Sequence, residues 1–237
     1  MWFDYTRLTQ FGAWEGWLEV DGEVVEVANA DTWGSRDRSW GIRPVGERNA
    51  YGAPTGMPQF YWLWAPLNFE GFCTHFDVNE SPDGSRWHEE ALYVPLDGGE
   101  AVRMAASPYR IVWAPGTRHA SGFELSLIQA DGAISHLMLE PILNFQMLGI
   151  GYGHPEWAHG VWKGELAVGG DRWSLPVATP NAPEHVHIQA LSRATFEHPD
   201  GRIDHGIGIL EQMVIGPHDP TGLSGLFDGA EFVVKPS

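Results

Sequence analysis

The stretch Phe123–Glu140, F-E-L-S-L-I-Q-A-D-G-A-I-S-H-L-M-L-E, indicates the fold class of this protein. Phe123, Leu125 and Leu127 recur at every second position, which is the period of a β-strand with one buried face. The dipeptide Asp131-Gly132 favours a tight turn between two strands, and Ile134–Glu140 resumes the apolar pattern beyond it. The stretch therefore predicts an antiparallel β-hairpin.

The same pattern recurs along the chain. Two further Asp-Gly turns have strand-like flanks: Asp21-Gly22, between residues 18–20 and 24–27, and Asp200-Gly201, between Ala194–His198 and Gly206–Val214. Turn signals at this spacing are typical of antiparallel sandwiches and barrels. The 29 glycines and 17 prolines leave no uninterrupted stretch longer than Glu184–His198. Because both residue types destabilise helix interiors, a helical bundle is excluded. We predict an all-β fold.

Charge and cysteine content exclude several partners. The net charge is −17, and no run of Lys or Arg offers a site for phosphate backbones, so we expect neither a nucleic acid nor a membrane surface as partner. The only cysteine, Cys73, rules out an internal disulfide framework. The first ten residues lack an apolar core, and no apolar run has the length of a membrane helix. We expect a cytoplasmic protein.

One sequence repeat predicts a duplicated β unit. Residues 12–22, G-A-W-E-G-W-L-E-V-D-G, and residues 160–170, G-V-W-K-G-E-L-A-V-G-G, agree at six of eleven positions. The alternative is two unrelated hairpins. With duplication, a first unit occupies residues 1–98 and a second occupies residues 99–237. The first copy begins close to Met1, so the first unit is expected to be incomplete at its N-terminus.

Gly34–Pro44, G-S-R-D-R-S-W-G-I-R-P, is the densest unusual stretch. In a strand, Arg36, Arg38 and Trp40 share one face while Asp37 lies on the other. One hypothesis places Asp37 or an arginine in a ligand cavity. The alternative is an ion-pair and cation–π clamp between two β units.

An aromatic row supplies candidate walls for a binding cavity. Gln59–Phe69, Q-F-Y-W-L-W-A-P-L-N-F, carries Tyr61, Trp62 and Trp64, which can line an apolar pocket or simply form core. The Tyr61 hydroxyl is a candidate donor to a ligand oxygen.

Three further residues are candidates for acid/base chemistry. His75 and Asp77 alternate with Phe72, Thr74, Phe76 and Val78, so they share the opposite face of a strand. If that face points into a barrel they form an acid/base pair, and if it points outward they are solvated. Glu211 lies in G-I-G-I-L-E-Q, Gly206–Gln212. As a buried carboxylate, it is expected to be anchored by Arg36, Arg38 or Arg43.

We expect no metal and no cofactor. His185 and His187 face one way on a strand, as in cupin metal sites, but the next glutamate is Glu197, too far along for that motif. The sequence contains no nucleophile elbow, Walker loop or dinucleotide fingerprint following a strand.

Four blocks together carry a family resemblance: Arg36–Arg43, Tyr61–Pro66, Gly149–Gly160 (G-I-G-Y-G-H-P-E-W-A-H-G) and Gly206–Gln212. The chain resembles the AttH-like group, a lipocalin-like family related to carotenoid 1,2-hydratases. The resemblance implies a pair of lipocalin-like antiparallel β units and activity on hydrophobic small molecules, such as the addition of water to isolated alkenes. It assigns no agreed catalytic set to these residues.

Three functional hypotheses follow. The first is a cofactor-independent hydratase, dehydratase or isomerase. Its proton donor would be Asp37, Asp77, Glu211 or His75, and its cavity would be lined by Trp40, Tyr61, Trp62 and Trp64 with Arg36 and Arg38 nearby. The second is a non-catalytic carrier of hydrophobic ligands. The third is a structural unit completed by a second chain, either a homo-oligomer or a different partner.

Overall fold

The protein is all-β in this computed structural model, which describes residues 4–42 and 57–230. Within those residues the chain forms fourteen strands and two short 3₁₀ turns, Met147–Ile150 and Asp219–Thr221. The strands are β1 Asp4–Ala13, β2 Gly16–Val20, β3 Glu23–Val27, β4 Trp33–Ile42, β5 Phe60–Trp64, β6 Leu67–Phe69, β7 Phe72–Glu80, β8 Arg86–Pro95, β9 Val102–Arg103, β10 Tyr109–Trp113, β11 Ala120–Ile128, β12 Ile134–Gln146, β13 His187–Glu197 and β14 Ile203–Ile215. No helix in the described parts of the chain is long and apolar enough to cross a membrane.

Ten strands form one antiparallel sheet that closes on itself. The strands from β7 to β9 and those from β10 to β14 each pair with the next strand in chain order, and β5 pairs with β7. The short β6 continues β5 past Pro66 and also pairs with both β7 and β14. β14 pairs with β5 as well, so the last strand meets the first. Residues 102–113 close the ring elsewhere. They pair with β8 through Arg103 and with β11 through Ala106 and Tyr109. The result is an up-and-down β-barrel.

The barrel interior is filled with apolar side chains. Alternate residues of each strand point inward, among them Leu63, Phe76, Phe123, Leu137 and Phe196, and all five are almost completely buried. Phe69, Phe72 and Phe196 contact one another through stacked and edge-on rings. Because the interior is packed in this way, the other residues of β5, β7 and β8 face the outside of the barrel.

The three predicted hairpins are confirmed, as β2–β3, β11–β12 and β13–β14. Asp21 and Gly22 both have positive φ, which the tight turn between β2 and β3 requires. β1 pairs with β4 in a separate two-stranded ribbon that lies over the outer face of the barrel. The β2–β3 hairpin keeps its apolar side chains exposed, including Trp17 and Leu18.

The two copies of the sequence repeat have different conformations in the structure. Residues 160–170 contain no strand, and Trp162, Leu166 and Val168 are highly exposed. The two copies therefore share a sequence pattern but not a structure, because the first forms a hairpin and the second does not. The boundary predicted at residues 98 and 99 falls between β8 and β9, which belong to the same sheet. The described strands are those of residues 4–42 and those of the barrel, residues 60–215, and the division into units 1–98 and 99–237 stays a prediction.

Glycines in β14 allow the barrel to close. A Cβ on Gly208 would lie 2.2 Å from the carbonyl oxygen of Pro66, and a Cβ on Gly206 would lie 2.3 Å from that of Asn68. Only glycine permits β14 to approach β6 this closely. This explains the glycines of the Gly206–Gln212 block.

Gly208→Ala is expected to lower the free energy of unfolding by about 1–3 kcal/mol, because the backbone must shift to admit the methyl group. The matched control is Gly122→Ala in β11, where the nearest atom, the Val112 Cβ, is 3.9 Å away. That change should alter stability by less than about 1 kcal/mol. Urea denaturation followed by circular dichroism measures both. Equal effects of the two substitutions would contradict the role given to Gly208.

Candidate functional site

A cavity of about 600 Å³ lies between the N-terminal ribbon and the outer face of the barrel. β1 forms its roof, and β5, β7 and β8 form its floor. Much of its wall is apolar and is built from Phe11, Phe60, Trp62, Trp87, Leu92 and Val94. A concave apolar surface with a few convergent polar groups is the usual form of a small-molecule site.

The polar part of the wall is centred on Asp77. Its carboxylate receives hydrogen bonds from the Nε2 atoms of His75, at 3.2 Å, and His88, at 2.7 Å. Because a carboxylate only accepts, both Nε2 atoms carry the hydrogen. His75 lies two residues before Asp77 on β7, and so shares its face. His88 is opposite Asn79 in the β7–β8 register, which places it diagonally beside Asp77.

Asp77 remains ionised although it is buried. Burial alone would raise the pKa of its carboxyl group, but the hydrogen bonds and positive charge of His75 and His88 lower that pKa to about 2. A carboxyl group with so low a pKa is ionised near neutral pH, so it accepts the hydrogen bonds of both imidazoles and orients them.

His88 is the more exposed of the two imidazoles that contact Asp77. Its hydrogen bond to Asp77 raises the pKa of the imidazole above its usual value, against the opposing effect of partial burial. Its side chain is 43% exposed, whereas that of Asp77 is 4% exposed. His88 lines the cavity, so it can exchange a proton with a bound molecule while Asp77 holds the ring in place.

Trp62 and Arg7 connect the floor of the cavity to its roof. The Cζ atom of Arg7, on β1, lies 4.5 Å from the centroid of the Trp62 ring, within cation–π distance. Arg7 also forms an ion pair of 3.5 Å with Asp37, on β4. The His88 ring lies on Trp62 with centroids 6.4 Å apart.

Glu211 is anchored by other partners than those predicted. Its carboxylate accepts hydrogen bonds from Trp62 Nε1 at 3.1 Å, His187 Nε2 at 2.9 Å and Gln189 Nε2 at 3.0 Å. Among arginines it is Arg7 whose charge contributes to lowering its pKa. The expected anchors were Arg36 and Arg38, which face solvent, and Arg43, which lies outside the described residues.

The other predicted site residues lie away from the cavity wall. Tyr61 points into the barrel, where its hydroxyl contacts that of Tyr109 at 3.1 Å and its ring stacks on His218. Trp64 is buried, with its Nε1 unpaired. Trp40 is 55% exposed on the solvent side of the ribbon, with Arg36 and Arg38.

The hypothesis for His75 and Asp77 offered two outcomes, and the structure gives a third. Their side chains point out of the barrel, yet both residues are more than nine-tenths buried because the ribbon covers them. Sequence reasoning missed His88, Arg7 and Trp87. The alternation of His88, Glu90 and Leu92 places His88 on one face, but the register that brings it to Asp77 depends on the turn at residues 81–85.

No group of three or more metal-binding side chains occurs in the described residues. His187 donates to Glu211, and the backbone oxygen of His185 accepts a hydrogen bond from His119 Nε2 at 3.0 Å. The two histidines therefore have separate structural partners.

Comparison with known proteins gives a family match without an assigned activity. The sequence pattern of a family described as "Family of unknown function (DUF8625)" matches residues 1–224. No curated protein matches the chain. Among solved structures, kievitone hydratase from Nectria haematococca is similar with a TM-score of 0.45 and 14% sequence identity, over 84% of this chain and 49% of that one. The chain thus spans about half the length of that structure. The resemblance to the AttH-like group stays a prediction.

Asp77→Asn is expected to lower the pKa of His88, because the carboxylate that stabilises the imidazolium is lost. In the wild type, His88 should stay protonated at pH values above the usual histidine range. In the variant, it should lose its proton at a lower pH. Nuclear magnetic resonance titration measures both values, with the His88 signal assigned from His88→Gln. As a control, Asp171→Asn, whose carboxylate contacts His154 far along the chain, should leave His88 unchanged. An unchanged His88 pKa in Asp77→Asn would contradict the proposed coupling.

Proposed function

We propose that this chain, which belongs to the DUF8625 family, binds a hydrophobic small molecule beneath β1 and carries out acid/base chemistry on it. The reaction class is hydration, dehydration or isomerisation without a cofactor. The observation that carries the proposal is the buried Asp77 carboxylate, which holds His88 at the wall of a cavity that also has a large apolar surface.

The roles follow from charge and exposure. Asp77 stays anionic, fixes the tautomer of His88 and stabilises its protonated form. His88 gives a proton to a bound alkene or hydroxyl group, or takes one from a carbon or from water. His75 holds the other side of the Asp77 carboxylate. The exposed face of Trp87 stabilises positive charge that develops on the substrate, since aromatic rings attract cations.

A non-catalytic carrier is the second candidate. The apolar wall supports it, because Phe11, Phe60, Leu92 and Val94 offer burial for a ligand without any chemistry. The two candidates share the binding step and differ only in proton transfer at His88. Completion by a second chain also remains a prediction, for which the exposed apolar residues of the β2–β3 hairpin are the relevant surface.

Binding is tested with the fluorescent apolar probe N-phenyl-1-naphthylamine. Trp87→Ala should weaken probe binding about tenfold, because Trp87 supplies a wall of the cavity and aromatic anchors dominate such sites. Trp40→Ala is the matched control, since Trp40 has nearly the same exposure, 55% against 59%, and does not line the cavity. It should leave affinity within twofold of the wild type. Equal loss in both variants would place the probe elsewhere.

Catalysis is tested with a panel of alkenes and tertiary alcohols in heavy water, with deuterium incorporation followed by mass spectrometry. His88→Gln should reduce incorporation at least a hundredfold, as expected when a general acid/base is removed. Probe affinity should change by less than about threefold, since the apolar wall is intact. Probe binding with no incorporation by the wild type, for any member of the panel, would leave the carrier as the better description.

A further inference from the structure

A second carboxylate–imidazole pair lies beneath Trp62. Glu211 is on β14, the neighbour of β5, and is directly opposite Trp64, so Trp62 is its diagonal neighbour on the same face. His187, on β13, is the corresponding diagonal neighbour from the other side. The sheet register therefore brings a tryptophan, a carboxylate and a histidine together from three adjacent strands.

Glu211 fixes the indole of Trp62 from below. Its Oε1 atom accepts from both Trp62 Nε1 and His187 Nε2, and its Oε2 atom accepts from Gln189. With the indole N–H bound in this direction, one ring face meets Arg7, and the ring also contacts His88. Glu211 thus holds Trp62, and Trp62 in turn contacts both His88 and Arg7.

The loop after the Met147–Ile150 turn covers this anchor. The Tyr152 ring packs edge-on against His187, with centroids 4.6 Å apart at 78°, and against His159 at 4.4 Å. A Cβ on Gly151 would lie 2.7 Å from the Trp157 carbonyl oxygen, so the loop requires glycine there. His154 Nδ1 accepts hydrogen bonds from the backbone N–H groups of Glu156 and Trp157. The Gly149–Gly160 block therefore holds an aromatic cover over His187.

The charge of Glu211 is retained despite its burial. Burial would raise the pKa of the carboxyl group, but the hydrogen bond and charge of His187, with Gln189 and Arg7, lower it. An anion accepts three donors at once, and a neutral amide of the same shape cannot replace it, since one of its two ends only donates.

We propose that Glu211 is a positioning residue that holds Trp62 in the orientation in which its ring forms the wall of the ligand cavity. The inference rests on the proposed binding function, and it assigns Glu211 a role other than proton transfer. Glu211 itself does not line the cavity, so it acts on a ligand through Trp62.

The first test needs no ligand. The twelve tryptophans are labelled with 5-fluorotryptophan, and the fluorine resonance of Trp62 is assigned from its loss in Trp62→Phe. In Glu211→Gln this resonance should shift and broaden, because a neutral amide replaces the charged acceptor of the indole N–H and its nitrogen end cannot accept from Gln189. Asp204→Asn is the control, since it alters another carboxylate–histidine pair on β14, the one with His198 at 2.8 Å. It should leave the Trp62 resonance unchanged. An unchanged Trp62 resonance in Glu211→Gln would overturn the proposal.

The second test is a double-mutant cycle with N-phenyl-1-naphthylamine. Glu211→Gln should weaken probe binding five- to tenfold in the wild-type background and by less than twofold in the Trp62→Phe background, because the effect passes through the indole. An equal loss in both backgrounds would overturn the proposal. Absence of probe binding by the wild type would count against the proposed function, while the fluorine spectra still decide the role of Glu211.

A milder variant covers the case in which Glu211→Gln does not fold. Gln189→Met removes only the bond to Oε2 and keeps the carboxylate, so it should move the Trp62 resonance in the same direction by a smaller amount. No movement of that resonance in a folded Gln189→Met protein would overturn the proposal.

Discussion

The pairing of β14 with β5 and β6 is the constraint on which the rest of the structure depends. It joins the last long strand of the sheet to the first, and it requires glycine at positions 206 and 208, because Pro66 and Asn68 occupy the space of any side chain there. Once the sheet is closed, its inner surface is packed with aromatic and aliphatic residues. Successive side chains of each strand point alternately into and out of the barrel. The polar residues that lie between the buried apolar ones must therefore be on the outside. The candidate site is therefore on the outer face of the barrel, beneath a strand ribbon.

Buried carboxylates on this outer face need partners, because the desolvation of an unpaired charge costs several kcal/mol. Asp77 meets the requirement with two imidazoles, and Glu211 with an imidazole, an amide and an indole. The two groups differ in accessibility. His88 is half-exposed at the cavity, whereas His187 is covered by Tyr152. This difference is the physical basis for assigning proton transfer to one group and positioning to the other.

Much of the fold could be predicted from local patterns. Period-two alternation and Asp-Gly turns identified β2–β3, β11–β12 and β13–β14, since the two strands of a hairpin and their turn are consecutive in the sequence. The same alternation placed His75 and Asp77 on one face of β7. Residues 160–170 are not in a strand in the described structure, although their sequence pattern matches that of the β2–β3 hairpin. A β-pattern predicts a strand only where the tertiary structure supplies a partner.

The sequence by itself determined the all-β class, three hairpins and the pairing of His75 with Asp77 on one strand face, because these depend on neighbouring residues. Only the tertiary structure decided that this face points outward and is nevertheless buried, that His88 is the exposed partner of Asp77, and that Arg7 and Glu211 meet at Trp62. These outcomes depend on register between strands and on the packing of a ribbon from a separate part of the chain. Side-chain pKa values and cavity walls are set by such long-range contacts, which no local pattern records.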